Sequence, residues 1–318
     1  MEETPIIQKK NIVGQTYRAI KRIIIYAFCE RKKEYDLMMK IYREFITIPF
    51  IERLYVKKFN KLWLKTDGNE KYFDFQGALF PDISSYKEMR ELAAIFEDVL
   101  LIPAVFDDNY DRKITRKMDR YTKEGPYGYK DKDFDVKVLE GDIVIDCGAW
   151  IGDFSAYSAS KGAVAYAFEP SKDVYEILKK TAELNNKAGK GRIIPVQKAL
   201  SNRTGEMTIS IETRSSGGNS IFINRGLDGT EKVNVQTLDD FVRENNISKI
   251  DFIKADIEGA ERLLLSGATE VLKHHQPKLA ICTYHLKDDK KVLSDIILKA
   301  NPSYKIVHLR HKLIAYVR

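Results

Sequence analysis

The chain has 318 residues and a mass of 36.6 kDa, 44% of it apolar and 31% charged, which is material for two domains or one large domain with an added segment. With 18 glycines and nine prolines no extended low-complexity region is expected, and runs such as Ile23–Phe28 and Val99–Phe106 fall short of the roughly 18 apolar residues that cross a bilayer. The net charge of +7 is carried wholly by residues 1–65, with 15 Lys/Arg against 7 Asp/Glu, while residues 66–318 hold 38 against 39.

Near the N-terminus Ile6–Ile7 is followed at once by Gln8, Lys9 and Lys10, so no secretory leader is expected. Tyr17, Ile20, Ile24 and Phe28, then Leu37, Ile41 and Phe45, recur at helical spacing. A basic amphipathic helix can pack on the rest of the protein or dock peripherally on an anionic membrane. Lys71–Phe75 alternates like a short strand, and Ser84/Ser85 with Glu88 forms a capping box for a helix to about Leu101. Residues 1–120 are therefore read as a mainly helical segment for specificity, docking or oligomerisation. The turn signal Gly125-Pro126-Tyr127-Gly128 marks the passage into a second unit, 121–318. The segment Gly125–Asp135 is expected to cover a ligand as a lid, with Tyr127 and Tyr129 as its contacts. No nucleic-acid module is recognisable.

From residue 142 the pattern changes to short apolar strands alternating with amphipathic helices. The predicted elements are Asp142–Cys147, a helix over Gly152–Lys161, Val164–Phe168, a helix over Lys172–Lys187 and Arg192–Gln197. Met207–Ile211 follows as a half-exposed strand, then a helix over Leu238–Asn245, Asp251–Ala255, a helix over Ala260–Leu272, and Lys278–Thr283. A helix over Lys290–Ala300 and two strands, Lys305–Leu309 and Leu313–Val317, close the chain. Such alternation is the mark of βαβ units in a mainly parallel sheet covered on both faces. The last two strands suggest an antiparallel hairpin at one edge. Cys29, Cys147 and Cys282 form no CxxC pair, which speaks against a structural zinc site and for reduced thiols in a cytoplasmic protein.

Four strand ends carry the chemistry. Val144–Ser155 (VIDCGAWIGDFS) delivers Asp146, then Gly148 and Gly152. A dinucleotide fingerprint from Gly148 needs glycine at 150 and 153. The sequence has Trp150 and Asp153, and an acid at a helix start repels a pyrophosphate. A nicotinamide-dependent oxidoreductase is thus the disfavoured alternative. The D-x-G-x-x-x-G pattern instead resembles the first motif of S-adenosylmethionine-dependent methyltransferases. Ala167–Ser171 (AFEPS) ends the next strand in Glu169, placed to grip two ribose hydroxyls. Phe252–Glu261 (FIKADIEGAE) sets Asp256, Glu258 and Glu261 at a strand's carboxyl end, where they can position hydroxyls or hold a divalent metal. His285 follows the fifth strand, on the same edge, as a candidate proton acceptor. His311 faces the same cleft in this reading.

Together with Ala199–Glu206 (ALSNRTGE) and Val235–Phe241 (VQTLDDF), these motifs are similar to the FkbM-type methyltransferase family over roughly residues 125–318. The family commonly reads GANxG where this chain has Trp150. The resemblance implies a Rossmann-like fold with a mainly parallel seven-stranded sheet. It also implies methyl transfer from S-adenosyl-L-methionine to a hydroxyl of a sugar, glycan or natural product. By the same resemblance Asp146, Gly148 and Gly152 hold the methionine portion, with Ala149, Trp150 and Phe154 beside them, and Glu169 with Pro170 holds the ribose. Lys198, Ala199 and Leu200 line the adenine, and Tyr127 and Asp256 complete the cofactor contacts. His285, Asp256 and Glu258 are the catalytic candidates and also the candidate ligands of a divalent metal. The expected partners are a hydroxyl-bearing small molecule or glycan, with homo-oligomerisation open; a non-catalytic glycan- or membrane-associated module is the remaining alternative.

Overall fold

The structure, a computed structural model, describes residues 64–75, 77–82, 127–133, 135–211 and 229–318. The helices expected in residues 1–63 and after Ser84 lie outside the described residues, as do Cys29 and most of the boundary near residue 120.

Seven strands form the central sheet: β6 (Ile143–Cys147), β7 (Val164–Phe168), β8 (Arg192–Val196), β12 (Phe252–Ala255), β13 (Lys278–Cys282), β14 (Lys305–His308) and β15 (Lys312–Tyr316). Their order is β14-β15-β13-β12-β6-β7-β8. The four inner pairings from β13 to β8 are parallel, whereas β13–β15 and β14–β15 are antiparallel. The expected edge hairpin is present. Successive residues point to opposite faces, and both faces are apolar. Val144, Ala165, Phe252 and Ala280 enter one core, while Ile145, Cys147, Ile253 and Ile281 enter the other. Residues on both faces of these strands are buried, which explains why the strands read as continuous apolar runs.

Helix α1 (Asp153–Ser160) is buried along its whole length. Its Ala and Ser residues let it lie between the central sheet and a small antiparallel sheet, β1 (Leu64–Asp67), β2 (Glu70–Phe75) and β3 (Ala78–Pro81). Phe73, Phe75 and Phe80 of that sheet join the core of α1 and α2 (Lys172–Ala188). The Asn185 side-chain amide on α2 both donates to the Leu79 carbonyl (2.7 Å) and accepts from the Leu79 N–H (3.1 Å). Only β2 of these three strands has a counterpart in the sequence reading. The same holds for the two-residue pair β4 (Tyr129–Lys130) and β5 (Asp135–Val136), which no sequence signal announces. A further sheet of β9 (Ala199–Leu200), β10 (Gly205–Ile211) and β11 (Gly229–Gln236) has β11 at its centre, parallel to β9 and antiparallel to β10. Helix α3 (Leu238–Glu244) is capped by Thr237, whose side chain accepts from the Asp240 N–H.

The helix expected over Ala260–Leu272 is interrupted. Helix α4 (Glu261–Ser266) stops at Gly267, and the chain resumes as a π-helical turn, Val271–His275. Gly267 packs its backbone against the Ser201 carbonyl so closely that a Cβ would collide with it. Tertiary contact, and not local propensity, sets this break. Helix α5 (Asp289–Ala300) then leads into the edge hairpin. Among the described residues no helix is long and apolar enough to cross a membrane.

Candidate active site

The strand order places a crevice where β6 and β12 separate. From β6 the chain winds one way to β7 and β8; β12 and β13 continue on the other side. Ligands of open α/β sheets bind beyond the strand carboxyl ends at such a reversal. The pocket found here is lined by Cys147, Gly148 and Trp150 after β6, and by Phe168, Glu169 and Pro170 after β7. Ala199, Leu200 and Ile209 of the neighbouring sheet form its far wall, and Asp256, Ile257, Glu258 and Ala260 after β12 form the near one.

The glycine loop is fixed by its own backbone. The N–H groups of Gly148 and Ala149 both donate to the Phe168 carbonyl, at 3.1 and 2.9 Å. Gly148 adopts φ 72°, and a Cβ there would run into the Asp256 carbonyl. The loops after β6 and β12 touch through a glycine that no side chain can replace. Trp150 also lies in the left-handed region, at φ 49°, a conformation that costs a non-glycine residue about 1–2 kcal/mol and that asparagine tolerates better. This is a physical reason for asparagine at that position in the family pattern.

Beneath the loop sits an ion pair. Lys254, on β12, is 3% exposed and its Nζ lies 3.0 Å from Asp146 Oδ1, on a side chain with no exposure. The ammonium also donates to the Gly148 carbonyl at 2.7 Å, and Ser155 Oγ donates to Asp146 Oδ2 at 2.6 Å. Burial would lower the Lys254 pKa, but Asp146, Asp153 and Asp256 outweigh it and raise the net value. Asp146, expected at the cofactor, spends its carboxylate on Lys254 and Ser155 and supports the loop from below; among the described residues it is not part of the pocket wall. Gly152, Ala149 and Phe154 also stand behind the wall, Phe154 packing on Tyr127 at 5.3 Å. Lys198 is turned to Gln236, 2.7 Å away, while its neighbours Ala199 and Leu200 line the pocket.

Glu169 is buried at the pocket. Burial raises its pKa to about 8, against the backbone N–H groups of Ser171 and Trp150 that favour the charged form. Asp153, at the start of α1, is pushed up to about 6, mainly by burial.

Asp256 is the hub of the near wall. It accepts from Tyr127 Oη at 3.0 Å and from Tyr284 Oη at 2.9 Å. Burial works to raise its pKa, but Lys254, His285 and the two phenols prevail and hold it below the ordinary carboxylate range. Tyr127, expected as a lid contact, thus serves Asp256, and Tyr129 is buried with its hydroxyl on Asp131. His285 lies behind this wall with its side chain 2% exposed. Its Nε2 is 3.6 Å from Asp256 Oδ1 and 3.5 Å from Glu258 Oε2, and its Nδ1 is 3.1 Å from Glu261 Oε1. Burial would lower the ring's pKa, but Glu261, Asp256 and Glu258 together raise it to about 9. His285 therefore holds its proton at neutral pH, which runs against the expectation that it acts as the base. Glu258 has φ 53° and a side chain 16% exposed at the pocket. His311 approaches the Tyr284 ring at 6.0 Å. Arg262 holds the turn behind His285 by pairing with Asp288 and the fully buried Asp289, the latter accepting from the Leu286 N–H.

Sequence reading missed Lys254, Tyr284, Cys147, Phe168, Ile209, Ile257 and Ala260. A lysine inside the strand FIKA was the one available signal, since a strand buried on both faces has no solvent for an ammonium.

A family model described as "Methyltransferase FkbM domain" matches residues 146–306. A curated relative, the hexuronic acid methyltransferase AglP of Haloferax volcanii, is 25% identical over 170 residues, which are 54% of this chain and 67% of that protein. Among solved structures, methyltransferase FkbM from Methylobacillus flagellatus aligns with 22% identity and a TM-score of 0.46, covering 70% of this chain and 60% of that one. Fibrillarin of Aeropyrum pernix, solved with natively bound S-adenosyl-L-methionine, aligns with 16% identity and a TM-score of 0.36, covering 58% and 70%.

Proposed function

The chain belongs to the FkbM methyltransferase family, and on that premise we propose that it moves the methyl group of S-adenosyl-L-methionine to a hydroxyl of a sugar or related acceptor. One observation carries this reading. The titratable side chains lining the pocket include three acids, Glu169, Asp256 and Glu258, with no lysine or arginine among the described lining residues. Such a wall suits a donor with a sulfonium cation and no phosphate, and disfavours a dinucleotide.

In this reading Glu169 accepts from the ribose hydroxyls, Ala199, Leu200 and Ile209 bound the base, and the Gly148–Trp150 loop bounds the methionine end. The bound donor supplies an activated methyl group for in-line displacement. The protein must hold the acceptor oxygen about 3–3.5 Å from it and take up the hydroxyl proton. Glu258, the most open of the acids around His285, is proposed as the proton acceptor. Asp256, held ionised by Lys254 and two phenols, orients the acceptor. His285 keeps the carboxylates in place. The relative AglP acts, by its name, on a hexuronic acid, and this supports a sugar acid or sugar as the first acceptor to test. The test is transfer of labelled methyl to a panel of hexuronic acids, sugars and nucleotide sugars. Donor binding without transfer to any hydroxyl in the panel would count against the acceptor class. Absence of donor binding would overturn the reading itself.

A further inference from the structure

We infer that Asp256, Glu261 and His285 form a binding site for one divalent transition-metal ion at the rear of the acidic wall. The inference deepens the methyl-transfer reading and rests on it for the site's chemical purpose. The site itself stands on four observations about side chains.

One ligand atom from each of the three residues can be chosen so that all lie within 4.8 Å of one another. Donors held about 2.0–2.2 Å from a common ion are themselves roughly 3–4.4 Å apart, so small rotations close the set around an ion. The second observation is independent of spacing. His285 is 2% exposed and Glu261 has no exposed side-chain surface, yet both ring nitrogens and Glu261 Oε2 lack a hydrogen-bond partner. His285 Nδ1 approaches Glu261 Oε1 at 3.1 Å as an ion-pair contact. Buried polar atoms are seldom left this way unless something else engages them.

Third, the residues are held without using up those atoms. Glu261 Oε1 accepts from the Ile257 N–H at 2.9 Å, which leaves Oε2 without a hydrogen-bond partner. Asp256 is steadied by Tyr127 and Tyr284, the kind of outer support that metal-bound carboxylates carry. Fourth, the donor set is chemically selective. One imidazole with two carboxylates suits manganese, iron, cobalt or zinc better than magnesium or calcium, which prefer all-oxygen sites. Glu258 Oε2, 3.5 Å from His285 Nε2, lies between this site and the pocket it also lines. An ion here would add positive charge behind Glu258 and Asp256, which line the pocket.

The experiment is Mn2+ titration of the full chain after chelator treatment, followed by calorimetry and by electron paramagnetic resonance. The expected result is one saturable Mn2+ per chain, with a pulsed-resonance 14N coupling from a single imidazole. His285→Ala and the isosteric Glu261→Gln should each weaken binding at least 10-fold, with their folding checked by circular dichroism. Saturable binding without a nitrogen coupling, no saturable binding, or unchanged affinity in both variants would overturn the site. Because the nitrogen signal is read on the unmodified protein, the site is tested even if a variant fails to fold. S-adenosylhomocysteine is titrated into the same samples. Its binding without Mn2+ would sink the metal site alone, and Mn2+ binding without it would sink the methyl-transfer reading alone.

Discussion

Replacing Lys254 by methionine tests the support beneath the cofactor loop. The lysine and Asp146 are 3% and 0% exposed and 3.0 Å apart. Their removal from water is tolerated because each neutralises the other. Lys254→Met keeps the apolar stem and deletes the ammonium, leaving Asp146 buried with only Ser155 Oγ still donating to it. The Gly148 carbonyl loses its 2.7 Å donor as well. Breaking one side of a buried pair costs about 3–5 kcal/mol. Domains have about 5–15 kcal/mol in total, so the variant should fold but with a much reduced margin. At about 2–4 °C per kcal/mol for chains somewhat smaller than this one, the melting temperature should fall by about 6–20 °C. The double variant Asp146→Asn/Lys254→Met removes both charges and keeps an oxygen for Ser155. It should recover at least about half of the loss, because replacing a whole buried pair is often close to neutral. Urea unfolding of the wild type, both single variants and the double variant gives the coupling energy directly. A loss under about 1 kcal/mol in Lys254→Met, or additive single effects, would refute the claim that this pair carries the loop.

Other outcomes follow from the same geometry. Glu169→Gln should weaken S-adenosylhomocysteine binding at least 10-fold by calorimetry, while leaving the fold intact. Because the folded-state pKa of Glu169 is raised to about 8, its contribution to stability is full below about pH 4.5 and is lost as pH rises to 8. Thermal melts between pH 5 and 9 should therefore show a steeper decline in the wild type than in Glu169→Gln, and parallel curves would refute the assignment. Gly148→Ala meets both the φ 72° backbone and the Asp256 carbonyl. It should lose donor affinity and at least about 1 kcal/mol of stability, measured by calorimetry and urea unfolding. Glu258→Gln should lower turnover about 100-fold or more at saturating donor with donor affinity changed by less than about three-fold; equal turnover would remove Glu258 from proton transfer.

The central sheet was legible in the sequence because its inner strands are buried on both faces and two of its helices, α2 and α5, are long and amphipathic. The small sheets were less so. Strands β4, β5 and β9 are two residues each, too short for any periodicity. In β11 the alternation of Val233 and Val235 with polar neighbours was present, but its partner β9 pairs across more than thirty positions of chain. The interruption at Gly267 follows from a neighbour, Ser201, that no local pattern reveals. At the site, the rule that ligands sit at strand carboxyl ends singled out Glu169, Asp256 and Glu258, which line one crevice, and His285, which lies behind its wall. It could not say which acids face the crevice and which support it. Asp146 lies inside β6 opposite Ala167, and Glu169 just beyond the end of β7; only packing shows that the first is taken by Lys254.

Strand β3 has a consequence for how this protein behaves in company. A sheet border ordinarily presents a row of open amide and carbonyl groups on which another chain can zip itself. Here Asn185 reaches out from α2 and takes both groups of Leu79, and Pro81 offers no amide at all. The side chain of one asparagine thus imitates an absent strand. Replacing it by leucine would leave the Leu79 amide and carbonyl without these partners, and self-association on mild heating should rise.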